Sequence, residues 1–322
     1  MPLVGDQSLL DDTLRRLQPL VPAHQTLVLT NAALLPAIAA ASAPFGVPPA
    51  NLLAEPRPAG TAAALAWAAA QIERRAGPGA VMMCVHADWA VGEAEQFRGA
   101  LSRAADVACE RASLVTVGIV PTRPDPGYGY IRRGPPVAPG VFVVERFVEK
   151  PNRTRAAEMV AEGCLWNSGI FVWRVGDFLD ELRRHTPEVA PALDAALATA
   201  DGATTFFAAV RSVSVDVGVL ERSAHVLVIP GEFGWDDVGT WAALRRVRTR
   251  DAAGNAVHGP VYAKDSHGNV VYAEGGAVVL YGVSDLVVVT RDGLTLVTTV
   301  ERSADLKALV ESLPDWLADR AT

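Results

Sequence analysis

The sequence predicts an α/β fold with a mixed, mostly parallel sheet, followed by a smaller β-rich domain. Three observations carry this. Apolar strand-like runs alternate with helical stretches over the first two hundred residues, the signature of βαβ units. Two of those runs, AVMMCV (80–85) and SLVTVGIV (113–120), are apolar without a break, as strands covered on both faces require. From about residue 254 the chain turns all-β, with short Val-rich segments between Gly, Asn and Asp turns.

SLLDDTLRRL (8–17) has helical apolar spacing, with Ser8 and Asp11 as a cap. TLVLT (26–30) and NLLAE (51–55) are short strands; AALLPAIAAA (32–41), with Pro36 in its first turn, is the helix between them. TAAALAWAAAQIERR (61–75) is a strong helix with Thr61 as its cap, and GEAEQFRGALSRAADVAC (92–109) an amphipathic one. GYGYI (127–131), GVFVVERFVEKP (140–151) and WNSGIFVWR (166–174) read as longer strands with polar residues. Helical patterns follow at 176–185 and 188–199, then a short helix at SVDVGVLERS (214–223) and a strand at AHVLVIP (224–230). The domain boundary falls near Asp251–Gly254, and SADLKALVESL (303–313) closes the chain as a helix ended by Pro314. The β-rich segment hints at repetition without a clean period.

Composition narrows the function classes. Of 322 residues half are hydrophobic and a fifth charged, a globular balance. A formal net charge of −7 argues against a nucleic-acid or membrane-surface partner. Cys84, Cys109 and Cys164 are too far apart for a zinc motif and suit a reducing compartment. The N-terminus lacks a signal-peptide pattern, and no apolar run has membrane-spanning length, so a cytoplasmic protein is expected.

In α/β sheets ligands gather beyond the carboxyl ends of strands, so candidate residues are sought there. Asp88 follows a buried strand. Asp237 stands in GEFGWDDVGTW (231–241), where two adjacent acids sit between two tryptophans. Two carboxylates at one sheet edge suit Mg²⁺, which takes one or two carboxylates plus substrate phosphates; a capping or turn Asp is the plain alternative. In FVEKP (147–151), Glu149 could accept from sugar hydroxyls while Lys150 pairs with a phosphate, or the two could form a solvated ion pair. In WNSGIF, Asn167 can donate to and accept from vicinal hydroxyls. Gly169 either admits a ligand close to backbone or marks a bulge, and GYGY invites the same two readings. Trp166, Trp235 and Trp241 read as core or wall. EPRPAGTAAALAWAA runs from a loop into a helix N-terminus, which favours anions.

Together and in this order, EP…GTAAALAWAA, HADW, GYGYI, FVEKP, WNSGIFVWR, SVDVGVLER and FGWDDVGTW resemble the mannose-1-phosphate guanylyltransferases (GDP-mannose pyrophosphorylases) of the sugar nucleotidyltransferase superfamily. The resemblance covers nearly the whole chain. It implies a Rossmann-like nucleotidyltransferase domain over residues 1–253 and a small C-terminal β-helix-like domain over 254–322. The implied reaction joins mannose 1-phosphate and GTP into GDP-mannose and pyrophosphate, with Mg²⁺ as cofactor. The implied roles are Asp88 and Asp237 for the metal, Asp236 as the more exposed neighbour of Asp237, Glu149 and Lys150 for sugar and phosphate, Gly129, Asn167 and Gly169 on the mannose side, and Glu55, Pro56, Thr61 and Ala62 by the nucleotide. A homodimer through the β-rich tail and final helix is expected.

This sequence departs from the family pattern twice. His86 and Trp89 stand near places where the family has Pro and His around the Asp matched to Asp88. The chain also opens at PLVGDQSLLDDTL, which resembles the part of the family pattern directly after its first strand, Gly-rich loop and Pro-Lys segment. About twenty residues with the triphosphate grip are thus expected to be missing, leaving unpaired backbone on both neighbouring strands and a weak catalyst as written. A late-assigned start codon explains this best, because the later motifs are intact. The alternatives are an enzyme for another sugar phosphate or base, such as a glucose-1-phosphate thymidylyltransferase-like one, and a non-catalytic sugar-nucleotide-binding paralogue.

Overall fold

A computed structural model describes residues 4–5, 7–199, 201–314 and 316–317. The chain divides into two compact units. One comprises Thr13–Ala87 and Glu93–Phe233; the other comprises the chain up to Asp12, Asp88–Gly92 and the chain from Gly234 onward.

The first unit is α/β. Strands β1 (Val28–Asn31) and β2 (Leu52–Glu55) form a parallel pair. A separate six-stranded sheet contains β3 (Val81–Cys84), β5 (Leu114–Ile119), β6 (Tyr130–Ala138), β7 (Val141–Val148), β8 (Leu165–Arg174) and β9 (Val226–Gly231), in the order β3-β8-β5-β9-β7-β6. The sheet is mixed: β5 and β9 pair in parallel, β8 runs antiparallel to β3, β5 and β6, and β7 runs antiparallel to β6 and β9. β3, β5, β9 and β6 therefore point one way, and β8 and β7 the other. Among the described residues β1 pairs with β2 alone and β3 with β8 alone, although Leu29 and Leu53 pack on the same core as Met82 and Cys84.

The apolar runs dictate this core. β5 is buried at all six positions, as its unbroken apolar sequence requires. The Ala-rich helix Thr61–Ala76 buries Ala62, Ala63, Ala66, Ala69 and Ala70, whose small side chains let its backbone lie close. Trp173 stacks on Phe178 with centroids 4.3 Å apart.

Several sequence expectations shift. Ser8 does cap the helix Leu9–Leu17 reciprocally: its N–H donates to Asp11 Oδ2 (3.0 Å) and its Oγ accepts from Asp11 N–H (3.1 Å). Thr61, in contrast, is the first helical residue, and Gly60 at φ 80° is the cap. GYGYI is not all strand: β6 begins at Tyr130, after a turn. The stretch 214–223 holds a five-residue π-turn, Asp216–Leu220, and the closing helix is only Leu306–Glu311.

The second unit is built on β4 (Ala90–Val91), β10 (Trp235–Asp236) and a β-helix-like tail. In the tail β11 (Ala256–His258), β13 (Val270–Ala273) and β15 (Leu286–Arg291) stack in parallel, with β16 (Leu294–Thr299) antiparallel at the end. β12 (Val261–Lys264) and β14 (Val278–Tyr281) form the opposing parallel pair. Buried Asn255 and Asn269 link successive rungs: Asn269 N–H donates to Asn255 Oδ1 (2.9 Å), and Leu286 N–H to Asn269 Oδ1 (2.9 Å).

Candidate active site

In the α/β unit, the sugar-side candidates converge where β6, β7 and β8 meet. Asn167 lies at the break in the β5–β8 ladder: Gly118 is opposite Asn167 while Val117 is opposite Ile170, so Ser168 and Gly169 bulge outward. Gly169 at φ 73° is the residue that permits this turn. Asn167 N–H donates to Gly129 O (2.8 Å), tying the bulge to the GYG turn. That turn is braced in turn: Arg123 Nη2 donates to Tyr128 Oη (3.0 Å) and its guanidinium lies 5.0 Å from the Trp166 ring centroid, while Gly127 N–H donates to Asp125 Oδ1 (3.0 Å).

Gly129 sits where two site side chains come close to the backbone. A Cβ there would stand 2.6 Å from Glu149 Oε2 and 3.4 Å from Asn167 Cβ. Glu149 Oε1 and Lys150 Nζ are 3.1 Å apart, and both side chains are exposed, at 53% and 66%. Such a pair is weakly held, so each group is available to a ligand. Lys150 has φ 44°, a left-handed conformation uncommon for a non-glycine residue.

The residue that sequence reasoning missed is Asp216, at the start of the π-turn. Its Oδ1 accepts from Asn167 Nδ2 at 2.7 Å. Burial pushes its carboxyl above the usual range and the neighbouring Glu149 adds to this, while the Asn167 hydrogen bond, its own backbone N–H and His86 act the other way. Glu221 is raised too, mainly by burial and then by Asp216 and Glu149. The motif SVDVGVLER carried part of the resemblance, but no role was assigned to its Asp; π-turns recur at functional sites but have no composition signature.

The nucleotide-side candidates separate. Glu55 ends β2, half-buried, its carboxyl raised by burial against the Ala59 N–H, and Pro56 is exposed. Thr61 and Ala62 are engaged by the segment that carries Asp216: Val215 N–H donates to Thr61 Oγ1 (2.9 Å), and Ala62 N–H donates to Val213 O (3.2 Å). A Cβ at Gly60 would meet Val213 O at 2.4 Å.

In the other unit, β4 and β10 pair antiparallel with Ala90 opposite Asp236 and Val91 opposite Trp235. The register brings Asp88, two residues before Ala90, and Asp237, one after Asp236, to the same end of the ribbon. Asp88 is exposed and Asp237 half-buried. The expectation for Asp236 is corrected: it is not the exposed neighbour but 6% exposed, gripped by Arg246 through Nε–Oδ2 (2.6 Å) and Nη2–Oδ1 (2.9 Å). Asp236 is the last residue of the two-residue strand β10, and Asp237 follows where the strand ends. The tryptophans are wall: Trp89 and Trp235 pack edge-to-face at 5.9 Å, and Trp241 packs 5.9 Å from Tyr272. Among the described residues no group of three or more His, Cys, Asp or Glu side chains could hold a metal alone. Two hard carboxylates at one ribbon end nevertheless fit Mg²⁺, which completes its shell with water and phosphate oxygens.

Residues 1–254 match the nucleotidyl transferase family model, and residues 260–313 match the MannoseP isomerase/GMP-like beta-helix domain. A mannose-1-phosphate guanylyltransferase of Escherichia coli (strain K12) is 38% identical over 82% of this chain, and the xanthan biosynthesis protein XanB of Xanthomonas campestris pv. campestris is 36% identical over all of it. The chain spans 58% of the length of the first and 69% of the second. The crystal structure of a mannose-1-phosphate geranyltransferase from Thermus thermophilus superposes with TM-score 0.85 at 35% identity, over 94% of this chain and 88% of that one.

Proposed function

The chain belongs to the nucleotidyl transferase family, alongside mannose-1-phosphate guanylyltransferases, and from that premise we propose that it transfers GMP from GTP to mannose 1-phosphate, giving GDP-mannose and pyrophosphate. The observation that carries this reading is the cradle at Gly129, where a missing Cβ leaves the Glu149 carboxylate and the Asn167 amide side by side. A carboxylate acceptor beside a donor–acceptor amide is the equipment for vicinal sugar hydroxyls.

A phosphate oxygen of mannose 1-phosphate forms a bond to the α-phosphorus of GTP. The bond from that phosphorus to the bridging oxygen breaks, and its electron pair leaves with pyrophosphate in line with attack. Little covalent chemistry falls to the protein; alignment and charge neutralisation dominate. Glu149 and Asn167 bind the hexose hydroxyls. Lys150, released from its exposed pairing with Glu149, takes the sugar phosphate. Gly129 keeps the cradle open and Gly169 shapes the bulge that aims Asn167. Glu55 and Pro56 sit by the nucleotide, with Thr61 and Ala62 bracing the helix start behind them. Asp88 and Asp237 would hold Mg²⁺, which supplies charge neutralisation on the phosphates. A cytoplasmic location and a homodimer belong to the same reading. No helix among the described residues is long and apolar enough to cross a membrane.

The test is a product assay with Mg²⁺, mannose 1-phosphate and, separately, GTP, ATP, UTP and dTTP. GDP-mannose with stoichiometric pyrophosphate from GTP supports the reading. Faster turnover with dTTP or UTP, or binding of GDP-mannose without turnover of any triphosphate, overturns it.

A further inference from the structure

We infer that Asp216 is a positioning residue of the sugar site: its carboxylate fixes the Asn167 amide in the one orientation that offers a hydroxyl-binding edge beside Glu149. This rests on the function proposed above and adds a residue to it.

The argument starts from polarity. Asn167 Oδ1 accepts from Gly169 N–H (3.3 Å), and Nδ2 donates to Asp216 Oδ1 (2.7 Å). One neighbour is a donor and the other an acceptor. Turning the amide over would set its oxygen against a carboxylate and its NH₂ against a backbone N–H, losing both bonds and creating two repulsions. An amide is normally ambiguous in this respect; here its surroundings decide. One Nδ2 hydrogen and one Oδ1 lone pair remain, a donor and an acceptor in one plane.

The segment bearing Asp216 is built to hold that carboxylate. Thr61 Oγ1 and Ala62 N–H fasten Val215 and Val213, and Thr186 Oγ1 donates to Gly218 O (2.6 Å). Yet among the described residues Asp216 has no Arg or Lys salt bridge, and the charge of Glu149 opposes its own. Packing alone would be served by an apolar residue, so a hydrogen-bond acceptor at this place is explained by what it does to Asn167.

The experiment measures KM for each substrate in the full chain for wild type, Asp216→Ala, Asp216→Asn, Asn167→Ala and the Asp216→Ala/Asn167→Ala double variant. Asp216→Ala should raise KM for mannose 1-phosphate about tenfold or more, the size of a charge-assisted hydrogen bond, and leave KM for GTP within about twofold. Asp216→Asn, which keeps an acceptor oxygen, should restore most of the loss. The double variant should be no worse than Asn167→Ala, because Asp216 acts through Asn167. Additive losses, equal effects on both substrates, or no rescue by Asn overturn the inference even where wild type is active. A wild type that neither turns over nor binds mannose 1-phosphate by calorimetry overturns the proposed function, and this inference with it. Should Asp216→Ala not fold, the comparison of Asp216→Asn with Asn167→Ala decides: loss in both to the same degree contradicts the role.

Discussion

Asp236 and Arg246 close a two-point ion pair, Nε–Oδ2 at 2.6 Å and Nη2–Oδ1 at 2.9 Å, and this divides the adjacent acids of WDDVG into two jobs. Asp236 is buried and held by Arg246; Asp237 is the acid proposed above for the metal ion. Arg246→Ala strands a buried carboxylate and should lower stability by about 2 kcal/mol or more, read as a fall in the urea midpoint. Asp237→Asn should leave stability within about 0.5 kcal/mol and cut turnover at least a hundredfold. Equal destabilisation by both would erase the division.

Gly129 gives a prediction of opposite character. A methyl there stands 2.6 Å from Glu149 Oε2, the end of an exposed and movable side chain. The fold yields easily, and the site does not. Gly129→Ala should change the melting temperature by only a degree or two while raising KM for mannose 1-phosphate about tenfold. A large thermal loss with unchanged KM would mean the glycine serves the backbone.

Asp216 makes stability depend on pH with a definite sign. Its carboxyl is raised above its ordinary 3.8, chiefly by burial, against the Asn167 hydrogen bond and its own backbone N–H, with Glu149 adding a smaller push up and His86 a smaller pull down. A folded value above the unfolded one means the protonated fold is favoured. Wild type therefore loses stability as pH rises from about 3.8 through the folded value, and the full cost stands above it. Asp216→Asn should be more stable than wild type near neutral pH, with the gap closing in acid. Thermal melts across pH check this; a gap that widens in acid contradicts it.

Strand edges offer another check. β1 and β3 each have one unpaired side among the described residues, and unpaired edge amides exchange readily. In the chain of 322 residues, amides on the open edge of β3 should exchange with deuterium orders of magnitude faster than those of β5, which is paired on both sides. Comparable protection of both strands would show that the β3 edge is covered.

These results mark what the sequence made legible. Unbroken apolar runs announced β3 and β5, and Ser8 with Asp11 announced a helix start, because burial and capping are local. GYG and NSG were legible as ligand or bulge positions but not as both, since only the β5–β8 register shows that the bulge is what aims Asn167. The role of Asp216 was not legible within SVDVGVLER because it lies in Asn167, 49 residues away. The repeat in the tail had no clean period because its rungs differ: fourteen residues separate Ala256 from its partner Val270, and seventeen separate Val270 from Val287. Asp236 was misjudged because Arg246, which neutralises it, lies ten residues on.

The central claim, that Asp88 and Asp237 share one divalent ion with the nucleotide, is tested most directly by titrating Mn²⁺ into the protein with GTP and following free Mn²⁺ by electron paramagnetic resonance. Asp88→Asn and Asp237→Asn should each weaken Mn²⁺–GTP binding about tenfold or more, with the double variant little worse than either. Unchanged affinity in either single variant, or losses that simply add, would show that the two carboxylates do not serve the same ion.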